Sequence, residues 1–233
     1  MPDLVSQQGW ILHRRPWRET SLLIEMFSRE HGRVGLVARG ARGARSPWRG
    51  IGEPFVPLES EWRRRGELGT LTRLDQAGPR PALAGRALWC ALYANELLLV
   101  LTGRDEPLPE LFDAYQSLLT DLADSIGLAS SLRSFELKLL ENLGVVPDFQ
   151  HEAHTGERIS ADGWYRLEPE AGFIGCAPGG RHVYSGAVIL TLADGTLKEA
   201  DDQRQAKLMT RYLLDHQLNG RILKTRELFR SMS

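Results

Sequence analysis

Residues 32–48 read G-R-V-G-L-V-A-R-G-A-R-G-A-R-S-P-W, and this stretch orders the rest of the chain. Val34, Leu36 and Val37 make an apolar strand pattern that runs into a turn region. The turn carries Arg39, Arg42 and Arg45 at a regular spacing, with Gly40 and Gly43 between them. Counting Arg33 and Arg49, five arginines lie between residues 33 and 49 with no acid among them. Glycine leaves the backbone thin and permissive, and guanidinium pairs bidentately with phosphate. A glycine-punctuated arginine loop at a strand end therefore points to a grip on a polyanion, a solvated basic loop being the alternative.

Outward from this stretch, short strand patterns recur. Trp10–His13 and Ser21–Phe27 precede it, with Arg14-Arg15-Pro16-Trp17-Arg18 read as a break between them. Phe55–Trp62 and Glu67–Leu74 follow it, and Pro57 marks an edge or a bulge. Five short strands in the first 75 or so residues, joined by glycine-rich turns, predict a small closed barrel. The five-stranded OB-fold fits, and an SH3-like barrel fits the strand count nearly as well. From Leu83 the period becomes helical. Leu88 to Leu99, Glu106–Ala123 and Ser130–Leu143 form three helices, with Gly144 as C-cap of the third. Residues 148–192 are rich in glycine and carry β-like runs such as Trp164–Leu167, so they read as a small β-rich insert. Asp201–His216 returns to helix, and a last short helix begins near Thr225. The expected organisation is α+β: residues 1–79 a barrel domain, and residues 80–233 a mainly helical domain containing that insert.

The chain has 233 residues, a formal net charge of −1, 42% hydrophobic and 25% charged residues, as in ordinary globular proteins. Residues 1–80 hold 14 arginines and no lysine against 9 acids, whereas residues 81–150 hold 4 basic and 10 acidic residues. A basic first third beside an acidic middle third predicts two surfaces with different partners. No apolar run reaches membrane-spanning length, the N-terminus lacks the features of a signal peptide, and two cysteines make no disulfide framework. A cytoplasmic location is the expectation.

Catalytic constellations are lacking. The glycines near residue 40 are not followed by the G-K-[ST] of a phosphate-binding loop, and neither G-x-S-x-G nor H-E-x-x-H occurs. Glu59 and Glu61 read as a polar strand face. His151, His154 and Cys176 suggest a metal, but a structural zinc site needs four ligands, usually paired, and Cys176 has no neighbouring partner. No enzyme activity, cofactor or metal is expected. Trp17 and Trp48, each beside proline and arginine, are candidate platforms for stacking bases. Trp10 and Phe55 read as core.

In order and spacing, the motifs L-H-R-R-P (12–16), H-G-R (31–33), V-A-R-G-A-R (37–42), G-E-L (66–68), Tyr93-x-x-Glu96-Leu97, Arg133-x-Phe135-Glu136-Leu137 and G-R-I-L-K-T-R-E-L (220–228) resemble the RecO recombination mediators of bacteria. The resemblance covers nearly the whole chain. It implies an N-terminal OB-fold, a helical domain and an insert that in some members is a zinc ribbon. It implies binding of single- and double-stranded DNA and annealing of complementary strands. It further implies association with RecR, contact with the acidic C-terminal tail of single-strand-binding protein, and indirect help to RecA. At the zinc-ribbon positions this chain has Glu152, Thr155, Cys176 and Gly179, so one ligand of four remains and zinc is not expected.

The arginine loop then reads as an ATP-independent DNA grip, with Arg39, Arg42, Arg45 and Arg49 central and Arg14, Arg18 and Arg33 flanking. Lys224 and Arg226 extend the track if the last helix lies near the barrel. A second reading makes the helical domain a peptide-binding adaptor that recruits repair partners to single-strand-binding protein without strong DNA binding of its own. In that reading Arg133 and Lys138 receive the acidic tail.

Overall fold

The computed structural model describes residues 4–48, 50, 52–197 and 199–231. Five strands open the chain: β1 (Leu4–Trp17), β2 (Ser21–Ser28), β3 (Gly32–Ala38), β4 (Pro57–Arg65) and β5 (Leu68–Gln76). They close into a barrel in the order β1-β2-β3-β5-β4, with β4 returning to β1. Every ladder is antiparallel except β3 with β5, where Leu36 pairs with Gly69 and Val37 with Thr70 in parallel. This crossover excludes a simple meander and selects the OB-like topology over the SH3-like alternative. Gly69 makes the closure possible. A β-carbon there would stand 2.7 Å from Leu36 Cδ2 and 2.9 Å from Trp62 Cδ1, inside van der Waals contact.

Strand β1 is longer than its apolar pattern predicts. Residues 4–10 pair with β4 and residues 9–17 pair with β2, so each half has one free edge. Pro16 lies in the half that β4 does not reach, where its missing N–H costs no ladder bond. Pro57 is the first residue of β4, another position open to proline. A bulge between Ile11 and His13 shifts the register.

The barrel interior is filled by Ile11, Ile24, Met26, Leu36, Leu58, Trp62 and their neighbours. The outer face of β2 is also covered. Two helices follow the barrel, α1 (Gly85–Leu101) and α2 (Pro109–Ala123). Phe27 meets Phe112 at 5.6 Å and Tyr115 at 6.1 Å between ring centroids, and Trp10 meets Tyr115 edge-on at 6.1 Å. Burial on both faces explains why S-L-L-I-E-M-F is nearly continuous in apolar residues rather than alternating. A buried polar chain crosses this packing. Tyr115 donates to Asn95 Oδ1 at 2.6 Å, and Asn95 Nδ2 donates to Leu12 O at 2.9 Å. The carbonyl at the β1 bulge is thereby satisfied, as a buried polar group requires.

The remaining elements are α3 (Leu128–Asn142), β6 (Trp164–Glu168), β7 (Gly172–Gly175), β8 (Val183–Ser185), α4 (Gly186–Ala193), α5 (Ala200–Leu218) and α6 (Lys224–Ser231). Helix α3 ends as expected: Gly144, at φ +71°, donates to Glu141 O, and Val145 donates to Leu140 O, a glycine-terminated C-cap. The small sheet has the order β7-β6-β8. The end of the expected β-rich insert is the helix α4. Its sequence, G-A-V-I-L-T-L-A, has one polar residue, Thr191, too few to separate a buried helix from a buried strand. The chain forms two compact units, Met1–Ile126 with Leu223–Ser233, and Gly127–Ile222. The change from strands to helices near residue 80 thus falls inside the first unit.

Candidate nucleic-acid interface

In the barrel unit, the β1–β2 turn and the segment after β3 form one end of the barrel. Trp17 pairs with Ser21, and Leu22 pairs with Ala38. The segment after Ala38 folds as a succession of turns. Gly40 takes φ +68°, Gly43 donates to Gly40 O at 3.0 Å, and Ser46 donates to Gly43 O at 3.0 Å. Arg42 stitches this loop to the β1–β2 turn. Its backbone N–H donates to Thr20 O at 2.9 Å, and its guanidinium reaches the carbonyls of Glu19 at 3.2 Å and Arg18 at 3.4 Å. Arg18 itself sits at φ +51°, outside the region most residues prefer. The arginine loop is therefore tied at its middle.

Ion pairing engages several arginines of this unit and leaves others without an acid. Arg29 pairs with Asp113, Arg64 with Asp105, Arg73 with Glu61 and Asp75, and Arg104 with Glu25. Arg14 pairs with Glu53 at 2.5 Å beside a cavity of about 80 Å³ that Trp48 also lines. Exposed Arg15, Arg18, Arg39, Arg42 and Arg45 have no carboxylate partner among the described residues. All five lie on the end of β1, the β1–β2 turn or the tied loop. Glu19 is the single acid in those segments. Arg63, Arg80 and Arg86, also exposed and without a carboxylate partner among the described residues, lie singly on β4, after β5 and on α1. Uncompensated cations held close together raise the local potential and favour an anionic partner.

Several expected site residues are placed otherwise. Arg33 is turned into the protein, pairing with Glu25 at 3.2 Å and donating to Thr102 O at 2.8 Å. Its guanidinium, expected as a flanking phosphate contact, is partly enclosed and engaged by Glu25 and Thr102. Arg49 lies outside the described residues. Trp17 is half-buried, with Arg15 5.9 Å from its ring centroid. Trp48 is half-buried and packs on the barrel core beside Leu22 and Ala41. Arg15, which the sequence does not single out, is exposed. Arg14 and Arg15 are adjacent in sequence, and only the fold shows which of them meets an acid.

Two of the sequence motifs meet in space. The carboxylate of Glu96 on α1 accepts from the backbone N–H groups of Lys224 and Thr225, at 2.8 and 2.9 Å, and from the Thr225 hydroxyl at 2.6 Å. An acid there satisfies the first N–H groups of α6 and complements its dipole. Arg226 donates to Tyr93 Oη at 3.1 Å and lies 5.5 Å from that ring's centroid. Arg226 is thus engaged in holding α6 on α1, while the Lys224 side chain is exposed.

In the second unit Arg133 is 6% exposed, and Glu136 and Thr210 are 1% and 0% exposed. Arg133 pairs with Glu136 at 2.8 Å and donates to Thr210 Oγ1 at 2.9 Å, and Thr210 donates to Glu136 at 2.6 Å. Arg133, expected to receive an acidic peptide, is enclosed inside the unit and joins α3 to α5. Lys138 pairs with Glu141 at 2.5 Å on the surface of α3.

At the zinc-ribbon positions, Glu152 does a ligand's structural work without a metal. Its carboxylate accepts from the backbone N–H groups of His154 at 3.1 Å, Thr155 at 2.5 Å and Gly175 at 3.3 Å. Hydrogen bonds from Thr155, first from its side chain and then from its backbone, together with those from His154 and Gly175, hold its carboxyl at about 2 against desolvation. The charge thus ties the 152–155 turn to the residue before Cys176. Thr155 and Gly179 offer no metal ligand, and Glu152 is committed, so the residues present do not fit zinc. His151 bonds Asp148 at 2.9 Å. No cluster of three histidine, cysteine or acidic side chains able to hold a metal occurs among the described residues, and no helix among them is long and apolar enough to cross a membrane.

Comparison with known proteins agrees with this architecture. The family model for the N-terminal region of recombination protein O matches residues 1–80, and that for its C-terminal region matches residues 83–227. A DNA repair protein RecO from Halorhodospira halophila is 43% identical over 230 residues, covering 97% of each chain. Those from Methylococcus capsulatus and Azoarcus sp. are 42% and 40% identical, covering 97% of this chain and 93% and 95% of theirs. With both family models matched and relatives this similar along nearly their full length, the chain belongs to the RecO family of DNA repair proteins.

Proposed function

We propose that this protein binds DNA through the end of its barrel, and that Arg15, Arg18, Arg39, Arg42 and Arg45 neutralise the phosphates of one or two strands. The carrying observation is the concentration of these five exposed arginines, none with a carboxylate partner among the described residues, at one barrel end whose segments hold a single acid, Glu19. OB-folds commonly bind strands across the β2–β3 face. Here α2 packs against Phe27, and Glu25 is engaged by Arg33 and Arg104, which leaves the barrel end as the better anionic docking surface. Neutralising two strands at once reduces their mutual repulsion, so annealing of complementary strands follows from the same groups. In this reading the protein is a recombination mediator without enzymatic activity, acting in the bacterial cytoplasm on the nucleoid. It works with RecR, contacts the tail of single-strand-binding protein and helps RecA onto coated strands. Family membership supports these partners.

The test is the salt dependence of oligonucleotide affinity, in the native protein and in an Arg39→Ala, Arg42→Ala, Arg45→Ala variant. Each phosphate contact on a single strand contributes about −0.7 to the slope of log affinity against log salt. Loss of three contacts flattens the slope by about 2. An unchanged slope rules out the loop as the grip.

A further inference from the structure

Within the unit Gly127–Ile222, a groove of about 590 Å³ lies between the small sheet and α5. None of the barrel arginines lines it. One wall is a face of α5 on which Arg204, Leu208, Arg211 and Tyr212 recur three and four residues apart, the spacing of a single helix face. The other wall is Trp164 and the segment Arg181–Tyr184. The rings of His182 and Tyr212 lie flat on each other, with centroids 3.5 Å apart and planes 10° from parallel. Burial first, and then the charge of Arg181, keep the His182 imidazole below its ordinary value. It therefore stacks as a neutral ring at pH 7. Trp164 is 38% exposed and Leu208 51% exposed, a large apolar area left open beside cations.

Charge favours a compact anion in this groove. Arg181 and Arg204 have no carboxylate partner among the described residues, whereas Arg211 is ion-paired with Asp215 at 3.7 Å. The Asp201 carboxylate accepts from Gln205 at 2.7 Å. Asp201 and Asp215 bound the stripe at its two ends, about 21 Å apart at the rise of a helix. A polyanion laid along α5 meets an acid at each end, whereas a short anion seated between them does not.

We propose that this groove binds a nucleotide unit, with its base against the aromatic side chains and its phosphate between Arg181 and Arg204. A planar base uses the flat ring surface, and a cavity of this size lies in the range of small-ligand sites. The unit comes either from a free nucleoside phosphate or from one nucleotide of a single strand. The proposal does not depend on the barrel arginines binding DNA.

The experiment uses the full chain and two photoreactive probes, 4-thiothymidine monophosphate and an oligothymidylate carrying one 4-thiothymine. Crosslinked peptides are mapped by mass spectrometry. Crosslinks to peptides containing Trp164 or Tyr212 are expected. Arg181→Ala with Arg204→Ala lowers their yield about tenfold, as loss of phosphate anchoring requires, and Trp164→Ala does so through lost stacking. Lys207→Ala, an exposed cation of α5 outside the groove, leaves the yield unchanged. Matched unfolding temperatures exclude misfolding. Competition by unlabelled thymidine monophosphate identifies the free nucleotide as the source, and competition by oligothymidylate alone identifies the strand. Crosslinks confined to the barrel, or a yield indifferent to the double alanine, overturn the proposal. So does Arg204-dependent binding of an acidic peptide with no binding of either probe. Groove crosslinks that persist in the Arg39, Arg42, Arg45 variant, beside an unchanged salt slope, refute the barrel grip while leaving the groove standing.

Discussion

Replacing Arg133 by methionine is expected to destabilise the second unit severely. Arg133, Glu136 and Thr210 are almost wholly enclosed, and the guanidinium compensates the Glu136 carboxylate at 2.8 Å. Removing one partner of a buried pair leaves the other charge uncompensated, at a cost of about 3–5 kcal/mol. Each kcal/mol lowers the unfolding temperature by about 4–8 °C for a unit of roughly this size, so a loss of more than about 10 °C is expected. The pair itself is not the source of net stability. Arg133 Nε finds no acceptor among the described residues, and replacing a whole buried ionic cluster by apolar residues is often neutral or stabilising. The triple variant Arg133→Met, Glu136→Leu, Thr210→Val should therefore return to within about 1 kcal/mol of the native protein. Urea unfolding, followed by hydrogen exchange in α3 and α5, reads this unit separately from the barrel. Native stability in Arg133→Met, combined with weaker binding of an acidic peptide, would refute the reasoning and restore Arg133 as a surface contact.

Three further outcomes follow from the packing. The Glu152 carboxyl is held near 2, below its ordinary 4.5; its contribution is complete above about 4.5 and is lost as pH falls toward about 2. Exchange of the Thr155 and Gly175 amides should rise across that window in the native protein, whereas Glu152→Gln should show the faster exchange already at neutral pH. Tyr115→Phe leaves Asn95 Oδ1 without its buried donor and should cost about 1–3 kcal/mol in chemical unfolding of the barrel unit, more than removal of an exposed hydroxyl. Glu96→Ala should release the N-terminus of α6 at a cost of about 1 kcal/mol, seen as faster amide exchange at Lys224 and Thr225. Unchanged exchange there would mean that the acid does not cap the helix.

Much of the fold is legible from local pattern. The barrel strands, the three helices after residue 83 and the C-cap at Gly144 follow from apolar period and turn chemistry, because these depend on neighbours in sequence. The run S-L-L-I-E-M-F announces a buried strand but not that helices cover its outer face. Local pattern breaks β1 at Arg14–Arg18, whereas the strand runs on through Pro16, since one free edge is a property of the assembled ladder. The apolar run of α4 carries no period to read. Of the site, the run Arg39, Arg42, Arg45 was visible as charge, but charge alone does not tell a free cation from an occupied one.

The glycine-punctuated run of arginines at a strand end, and the strand pattern that delivers it, were determined by the amino-acid sequence alone. Tertiary structure decided which arginines remain available. Arg33 and Arg133 are spent on acids at Glu25 and Glu136, Arg14 meets Glu53, and Arg15, Arg18, Arg39, Arg42 and Arg45 have no carboxylate partner among the described residues. Ion pairing depends on distance in space, and apart from Arg133 and Glu136, three residues apart on α3, the distances that matter here join residues at least eight positions apart in the chain.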